Sequence, residues 1–233
     1  MSNITDLSGF VRSGSLLKDL PEESLARLSE AGLSQQLPKG KTLFQKGDPG
    51  DYLAVIVSGK LKVSAYSISG TETVLNILQP GDVLGEIAAI DGGERTADVV
   101  ALEACEILII RRRDILTKIE TDPEFALGIS RALCKKLRDA SDSLEATTLD
   151  IARRVAAALL RLAEQDSDDL DAEQSVFEIK IDQSTLARYA GLTRSNLNRV
   201  LKRFERAGAS RHEKGVLTIL DFEWLEEFAL SED

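Results

Sequence analysis

Glycine-bearing turns interrupt the chain at short intervals between Leu37 and Ile110, and these turns limit the folds that the segment can form. The turns lie at residues 47–50, 58–59, 69–70, 80–82 and 92–93. The runs between them are rich in β-branched residues, as in YLAVIVS, ETVLNIL and CEILIIRR. Many short strands separated by turns at near-regular spacing are typical of a β-sandwich. The sequence therefore predicts a β-roll, or jelly roll, in the first half of an α+β chain.

Helical patterns flank this region on both sides. SLLKDLPEESLARLSEAGL predicts one or two short helices, with Pro21 suited to a first turn. Neither Gly nor Pro occurs from Ile129 to at least Leu162, and apolar residues recur at 129, 133, 137, 140, 144 and 149. This spacing predicts a long helix with one narrow apolar stripe. The length favours a dimer seam, and the alternative is packing against the chain's own barrel.

The pattern changes near Leu149-Asp150, where IARRVAAALLRLAE carries a broader apolar stripe, and we place a hinge there. The predicted parts are therefore a β-roll with N-terminal helices over 1–124, a long dimerisation helix over 125–149 and a C-terminal domain over 150–233. The acidic stretch QDSDDLDAEQS is expected to form a loop inside the C-terminal domain.

The stretch GEIAAIDGGERTADVV, residues 85–100, brings a carboxylate, a guanidinium and three glycines together. A buried arginine binds phosphate oxygens through a planar fork, and backbone N–H groups can surround an anion. Glu86 cannot bind phosphate itself, so it would accept a hydrogen bond from a neighbouring hydroxyl group such as a ribose 2′-OH. The pattern indicates a pocket for a ribose joined to a singly charged phosphate. A surface turn with a solvated Glu and Arg remains the alternative.

IDQSTLARYAGLTRSNLNRVLKRFERAG, residues 181–208, has the features of a helix-turn-helix. Asp182 and Thr193 are suited to cap two helices, and Gly191 breaks the chain between them. The second helix should run to about Ala207 with one apolar face, made of Leu197, Val200, Leu201 and Phe204. GASRHEKGVLTIL then predicts a β-hairpin, the wing of a winged variant. A plain helical hairpin with a solvated basic face is the alternative.

Charge is distributed unevenly along the 233 residues. The formal net charge of −10 argues against nucleic acid binding when taken alone. Between residues 194 and 211, however, one acid, Glu205, faces six basic residues: Arg194, Arg199, Lys202, Arg203, Arg206 and Arg211. The global value therefore conceals a local basic surface.

Several classes of protein are disfavoured by the sequence. No apolar run approaches the roughly 20 residues that span a bilayer, and the first residues lack signal-peptide features, so we expect a cytoplasmic protein without membrane contact. Cys105 and Cys134 form no C-x-x-C pair and His212 is the one histidine, which disfavours metal, haem and iron–sulfur sites and an enzyme. We expect both cysteines to be small buried hydrophobic residues.

Nearly the whole chain resembles the CRP/FNR transcription regulators, in particular the cyclic-AMP receptor protein branch. PGDVLGEIAAIDGGERTADVVALEACEI, residues 80–107, is similar to the family's phosphate-binding cassette. The predicted order of β-roll, long helix and winged helix-turn-helix also matches. The resemblance implies a cyclic-nucleotide-binding β-roll and a DNA-binding domain in a homodimer.

The resemblance also implies a role for each matching residue of the cassette. Gly85 and the backbone around Ile87 and Ala88 would approach the ligand. Glu86 would accept a hydrogen bond from the ribose 2′-OH, and Arg95 would hold the cyclic phosphate.

Nucleotide selectivity would depend on three further positions. Thr96 would bond the phosphate or the purine, and a Thr there favours guanine in related modules. Two adjacent hydroxyl residues of the long helix, one from each subunit, close the pocket in the family. Ala140-Ser141 match them, and Ala140 lacks the hydroxyl group that would bond the adenine amino group. We therefore expect cAMP binding together with appreciable cGMP binding.

On DNA, Arg194 and Arg199 match the two arginines of the family that read guanines. Ser195 replaces a glutamate of the receptor protein that accepts from cytosine, so readout at that base pair should differ. The residues implied to contact phosphates are Thr193, Gln183, Ser184, Asn196 and Lys202.

The resulting expectation is a nucleotide-gated homodimer on a near-palindromic double-stranded operator, which would contact RNA polymerase if it is an activator. The alternative is a cyclic-nucleotide-binding regulatory subunit that acts through protein partners.

Overall fold

The computed structural model describes residues 22–146, 150–166, 176–213 and 216–231. The chain divides into two compact units. The first comprises Met1–Ala65 and Leu75–Arg138, and the second comprises Tyr66–Val74 and Asp139–Asp233.

Eight strands of the described residues form two antiparallel four-stranded sheets, as the glycine-bearing turns predict. The strands are β1 (Leu33–Leu37), β2 (Thr42–Phe44), β3 (Tyr52–Ser58), β4 (Leu61–Tyr66), β5 (Glu72–Leu78), β6 (Val83–Leu84), β7 (Asp98–Ala101) and β8 (Cys105–Arg111). One sheet has the order β1-β8-β3-β6 and the other has the order β2-β7-β4-β5. The predicted α+β fold with an N-terminal β-roll is confirmed.

The helices among the described residues are α1 (Glu22–Ala31), α2 (Glu86–Asp91), α3 (Arg112–Thr121), α4 (Pro123–Ala146), α5 (Ile151–Asp166), α6 (Gln183–Tyr189), α7 (Arg194–Arg206) and α8 (Phe222–Leu230). α1 lies within the helical pattern predicted over residues 15–33, of which residues 15–21, including Pro21, lie outside the described residues.

β3 is buried on both faces because it separates two apolar clusters. Ala54 and Ile56 point into the space between the sheets, where they join Leu61, Val99 and Ile107. The alternate residues, Leu53, Val55 and Val57, belong to a second cluster with apolar residues of α1, α3 and α4. An uninterrupted apolar run is the sequence of a strand covered on both sides.

Asp122 connects three helices that cover this outer face. One carboxylate oxygen accepts hydrogen bonds from Ser24 Oγ of α1 at 2.7 Å and from Lys118 Nζ of α3 at 2.9 Å. The other accepts from the backbone N–H of Phe125 in the first turn of α4 at 3.1 Å. The hydrogen bond from Lys118, followed by those from Phe125 and Ser24, holds the pKa of Asp122 well below its usual range.

The apolar stripe predicted along α4 is divided between two environments. Ile129 is buried and Leu133 half-buried against the outer cluster of the β-roll, so this part of the stripe packs on its own barrel. Leu137 is 69% exposed and Ala140 is exposed. The expectation of one continuous stripe facing a partner is therefore wrong for the first part of the helix. Leu149 lies outside the described residues, and the side chain of Leu144 is also not described.

A winged helix-turn-helix follows, as predicted. Asp182 caps α6 by accepting from the backbone N–H groups of Ser184 and Thr185, and Thr193 caps α7 by accepting from that of Asn196. The four apolar residues predicted to share one face of α7 are all buried. A three-stranded sheet completes the unit, with the order β10-β11-β9 and the strands β9 (Phe177–Lys180), β10 (Ser210–Glu213) and β11 (Val216–Ile219).

The expectation for the cysteines is half correct. Cys105 is buried, and burial raises the pKa of its thiol. Cys134 is exposed on α4, because it lies on the opposite side of that helix from Ile129 and Lys136. Most of the acidic stretch predicted as a loop (residues 167–175) lies outside the described residues, as does the Leu149 side of the predicted hinge.

Asp122 should make the stability of the protein depend on pH. The pKa of Asp122 is lower in the folded than in the unfolded state, so its contribution is complete above the unfolded pKa of about 3.9 and is lost as the pH falls towards the folded pKa. We expect Asp122→Asn to be less stable than the wild type at about pH 7. The difference in urea midpoint should persist to about pH 5 and narrow by about pH 3. A difference that stays constant over this range would contradict the assignment.

Candidate functional site

Arg95 is the buried centre of a pocket in the first unit. The residue is 2% exposed, and its Cζ lies 4.3 Å from the ring centroid of Phe44 and 4.4 Å from that of Tyr52. Its backbone is fixed as well, because the N–H of Arg95 donates to the carbonyl of Asp48 at 2.8 Å and its carbonyl accepts from Gly47 at 2.9 Å. Two aromatic faces therefore hold a cation away from water.

The hydrogen bonds of this guanidinium are incomplete. Nη1 donates to the carbonyl of Gly85 at 2.9 Å. Nε and Nη2 are buried and have no acceptor among the described residues. The N–H bonds of these two nitrogens run parallel, which is the edge that binds two oxygens of one carboxylate or phosphate. Because a buried cation without such an acceptor is costly, the geometry suits an anion with two free oxygens.

Tyr52 and Phe44 were not singled out by the sequence. Burial raises the pKa of the Tyr52 phenol, and the positive charge of Arg95 partly offsets that rise. The phenol therefore stays neutral at physiological pH, and the pocket keeps the positive charge of Arg95. Both rings lie about 40 to 50 positions before Arg95 in the chain, so only the pairing of the strands brings them to it.

Gly85 lies against the same guanidinium. It adopts a φ of 76° immediately before α2, in the left-handed region that favours glycine. A Cβ built on Gly85 would collide with Nη1 of Arg95. Close approach of backbone and guanidinium therefore requires a glycine at this position.

Glu86 is buried beside this glycine and pairs with a residue that the sequence did not indicate. Its Oε1 accepts from Lys136 Nζ on α4 at 2.8 Å, and the same ammonium group donates to the carbonyl of Val83 at 2.9 Å. The Glu86 side chain is 5% exposed and that of Lys136 is 40% exposed. A lysine just before the predicted pair Ala140-Ser141 was the available signal, but its partner lies fifty residues earlier.

The remaining predicted ligand residues differ in exposure. Ile87 and Ala88 lie in the first turn of α2, where the side chain of Ala88 is buried and that of Ile87 is 47% exposed. Thr96 follows Arg95 and is exposed. Ala140 and Ser141 are exposed on α4 and belong to the second unit. The structure thus brings Gly85, Glu86 and Arg95 together within the first unit.

The predicted DNA-reading residues lie on α7 and around its start. Arg194, Ser195, Arg199 and Lys202 are all exposed on α7. Arg194 Nε donates to Gln183 Oε1 at 3.4 Å, and Arg199 Nη2 donates to Asn196 Oδ1 at the same distance. Ser184 is half-buried in the first turn of α6. A solvent-facing row of donors on one helix can reach base edges and phosphates in a DNA groove.

Gln183 also contacts the wing of the domain. Its Nε2 lies 3.3 Å from Nδ1 of His212 on β10. Gln183 therefore lies between Arg194 of the second helix and His212 of the hairpin. The side chain of Gln183 thus connects the start of α6 with α7 and with β10.

Two further observations concern other kinds of site. Among the described residues, no group of three or more His, Cys, Asp or Glu side chains is arranged to hold a metal ion. None of the helices in the described part of the chain is both long and apolar enough to cross a membrane.

Comparison with known families assigns both units of the chain. Residues 34–122 match the family model of the cyclic nucleotide-binding domain, and residues 153–228 match that of the Crp-like helix-turn-helix domain. The first match contains Glu86 and Arg95, and the second contains the whole of α6, α7 and the wing.

Curated relatives and solved structures agree with these domains. The cyclic AMP receptor protein of Thermus thermophilus is 35% identical over 82% of this chain and 86% of its own length. A CRP-like cAMP-activated global transcriptional regulator of Mycobacterium tuberculosis is 31% identical over 84% and 89%. The structure of FixK2 from Bradyrhizobium japonicum superimposes with a TM-score of 0.77 over 87% of this chain and 99% of that one, and its 16% identity supports the fold alone.

Gly85→Ala should destabilise the protein more than the backbone conformation alone requires. Gly40 has a similar φ of 78° with nothing within 4 Å of its position for a Cβ, so Gly40→Ala measures only the left-handed penalty of about 1–2 kcal/mol. We expect Gly85→Ala to lose about 1–3 kcal/mol more, because its methyl group displaces the Arg95 guanidinium. Urea unfolding of both variants tests this, and equal losses would contradict the close approach.

Proposed function

The chain belongs to the CRP/FNR superfamily of transcription regulators, in the cyclic AMP receptor protein branch, and from this premise we propose that a cyclic nucleotide bound to its β-roll controls DNA binding by a homodimer. The observation that carries the proposal is the buried guanidinium of Arg95. Its parallel Nε–H and Nη2–H donors have no acceptor among the described residues. The bound ligand regulates, and no catalytic step is part of the proposal.

The cyclic phosphate is the group that fits these donors. A cyclic 3′,5′-phosphodiester has two non-bridging oxygens that share one negative charge. The Nε–H and Nη2–H bonds of Arg95 would donate to these two oxygens, while Nη1 keeps its hydrogen bond to Gly85. A single negative charge neutralises the single buried cation, so burial of the pair costs less than burial of either ion alone.

Glu86 is the acceptor for the ribose. Its carboxylate lies directly after Gly85 in the chain and accepts a hydrogen bond from Lys136. The ribose 2′-OH would donate to this carboxylate and share it with the ammonium group of Lys136. Lys136 thereby connects α4 to the ribose end of the pocket, which supports a route from nucleotide binding to the long helix.

Thr96 and Ala140 would set the preference between purines. Thr96 is exposed beside Arg95, and its hydroxyl group forms no hydrogen bond to another described residue. In the family, a Thr hydroxyl at this position forms a hydrogen bond with the 2-amino group of a guanine in the syn conformation. Ala140 has no hydroxyl group that could bond the adenine amino group. One net hydrogen bond is worth about 1 kcal/mol, which changes a dissociation constant about fivefold. The pocket should therefore bind both nucleotides.

DNA would be read by the exposed side chains at the start of α7. Arg194 and Arg199 are suited to guanine O6 and N7, and Ser195 can pair with a base in either sense. Gln183, Ser184, Thr193, Asn196 and Lys202 would contact phosphates around them. A dimer places two such helices about 34 Å apart, so the operator should be a near-palindrome.

The dimer would form through the exposed side of α4. Leu127 and Leu137 are 50% and 69% exposed and lie about 80° apart around the helix axis, so they bound one broad face of the helix. Cys134 and Ser141 lie on the same face, three residues before and four residues after Leu137. Pairing this face with the same face of a second copy would bury both leucines. The nucleotide can then shift the dimer between two states by its difference in affinity for them.

Arg95→Leu should abolish nucleotide-dependent DNA binding and leave a folded dimer. The loss of two charge-assisted hydrogen bonds lowers nucleotide affinity by about 100-fold or more. The measurement is a mobility shift on duplex selected from a random pool by the wild type with cAMP, repeated without nucleotide and with cGMP. Size-exclusion chromatography and thermal unfolding report on the folded dimer.

Arg113→Leu is the matched control, because this arginine is 73% exposed on α3 and pairs with Asp114. Its DNA binding should remain nucleotide-dependent. If Arg95→Leu responds to nucleotide like the wild type, the pocket assignment is wrong. If the wild type binds no DNA with any nucleotide but binds cAMP, the chain acts as a regulatory subunit instead.

Calorimetry with cAMP and cGMP tests the selectivity directly. We expect the two dissociation constants to differ by no more than about tenfold, since a single hydrogen bond separates them. Thr96→Ala should weaken cGMP several-fold more than cAMP, and Ala140→Thr should strengthen cAMP. Binding of cGMP thousands of times weaker than that of cAMP would contradict the proposal.

A further inference from the structure

A groove rich in arginine lies in the second unit, between the first turn of α5 and the side of α7. Its volume is about 750 Å³. The residues that line it are Asp150, Ile151, Ala152, Arg154, Arg199, Val200, Arg203 and Arg206. We call it the arginine groove. Of its four arginines, only Arg199 belongs to the base-reading set described above.

Positive charge dominates the arginine groove. Four guanidinium groups face one carboxylate, that of Asp150. This carboxylate is already engaged, because its Oδ1 accepts from the backbone N–H groups of Ala152 at 2.7 Å and Arg153 at 3.1 Å. Its Oδ2 lies 3.2 Å from Arg153 Nε. Asp150 therefore caps α5 and pairs with an arginine outside the groove, and the lining keeps a net positive charge.

Arg203 is held in place by a neighbour that leaves its N–H groups available. The Cζ of Arg203 lies 4.9 Å from the ring centroid of Phe228 on α8, and that ring stacks on Trp224 at 5.0 Å. A guanidinium on an aromatic face keeps its in-plane donors free for oxygen acceptors.

The charges of Arg203 and Arg206 are only partly offset within the described residues, where the Asp150 carboxylate interacts electrostatically with Arg203. Both side chains are exposed, and neither forms an ion pair with a carboxylate within the described residues. Exposed arginines near one another repel, and a single carboxylate that is already engaged offsets this repulsion only in part. Their placement therefore favours a site for an external anion.

The spacing of the arginines indicates what kind of anion. Arg199, Arg203 and Arg206 follow one another at four and three residues, so they form a row along one side of α7. The row spans about 10 Å along the helix axis, which exceeds the size of one phosphate group. It also begins at Arg199, a residue that the proposed function places on a base. A row of this length that continues from a base contact suits successive phosphates of a DNA strand.

We propose that the arginine groove binds the phosphate backbone of DNA beside the bases that α7 reads, with Arg203 and Arg206 as phosphate contacts. The inference rests on the proposed function, because it requires DNA on α7. It extends the contact from the start of α7 to its end. Such contacts add affinity for every sequence and release counterions, so they also offset the repulsion between DNA and a chain of net charge −10.

The test is the salt dependence of DNA affinity for Arg203→Gln, Arg206→Gln and the double variant, measured with saturating cAMP. The probes are the duplex selected by the wild type and a duplex of the same length with scrambled sequence. Each lost phosphate contact should reduce the slope of log K against log salt by about 0.9. The ratio of the wild-type to the variant association constant for DNA should then fall about threefold to fourfold for each lost contact when salt rises from about 50 to 200 mM.

Two controls separate this role from folding and from total charge. Arg203→Lys keeps the positive charge and should retain the wild-type slope. Arg113→Gln changes the net charge equally on α3 in the first unit, and should also leave the slope unchanged. Thermal unfolding of all variants, with midpoints close to that of the wild type, identifies those that are folded.

Each remaining outcome has a defined meaning. Unchanged slopes in the double variant overturn the inference while the proposed function stands. A loss of affinity confined to the selected duplex also overturns the inference, because that result indicates base readout. Calorimetry with inorganic phosphate tests whether the groove binds a free anion instead of the phosphates of DNA. Tight phosphate binding without a change in the salt slope would assign the groove to a free anion. A wild type that binds neither duplex overturns the proposed function, and the inference falls with it.

Discussion

The burial of one positive charge determines how the pocket of the β-roll is arranged. Arg95 is almost fully removed from water, and neighbouring elements adapt to it: two aromatic rings cover its faces, a glycine with positive φ lets the backbone approach, and two backbone hydrogen bonds fix its own position. Burial of an ion is costly unless a counter-charge is supplied. A pocket of this design holds its binding donors in position before any ligand arrives, so little order has to be created on binding.

Local patterns in the sequence were sufficient for the main strands of the roll and for the helix-turn-helix, but they did not indicate α2, α3 or α8. Glycine turns and β-branched runs predicted the strands of the roll, because period and turn chemistry act over a few residues. Asp182, Thr193 and the buried face of α7 were predicted for the same reason, since caps and helix periodicity depend on neighbours within one or two turns. Glu86 and Arg95 could be identified as a candidate pair because they lie nine positions apart in one turn-rich segment.

The contacts that were missed all depend on residues distant in the chain. Lys136 and Glu86 are fifty positions apart, and Phe44 precedes Arg95 by about as many. The division of α4 was missed because an apolar periodicity cannot reveal which surface covers it: Ile129 packs on the roll and Leu137 faces solvent. Cys134 was misplaced for the same reason. These features follow from tertiary packing, which propensity and spacing do not encode.

The double-sided burial of β3 has a consequence for the handling of the protein. Its central residues, LAVIV, are uncharged, contain no proline and have high β-propensity, which are the properties of segments that assemble into cross-β aggregates. In the folded chain neither face is accessible, because one faces the opposite sheet and the other is covered by helices. Any truncation that removes α1 or α4 would uncover one face. Expression as a shortened β-roll would therefore produce inclusion bodies, whereas chains that keep both helices retain their own protection against aggregation.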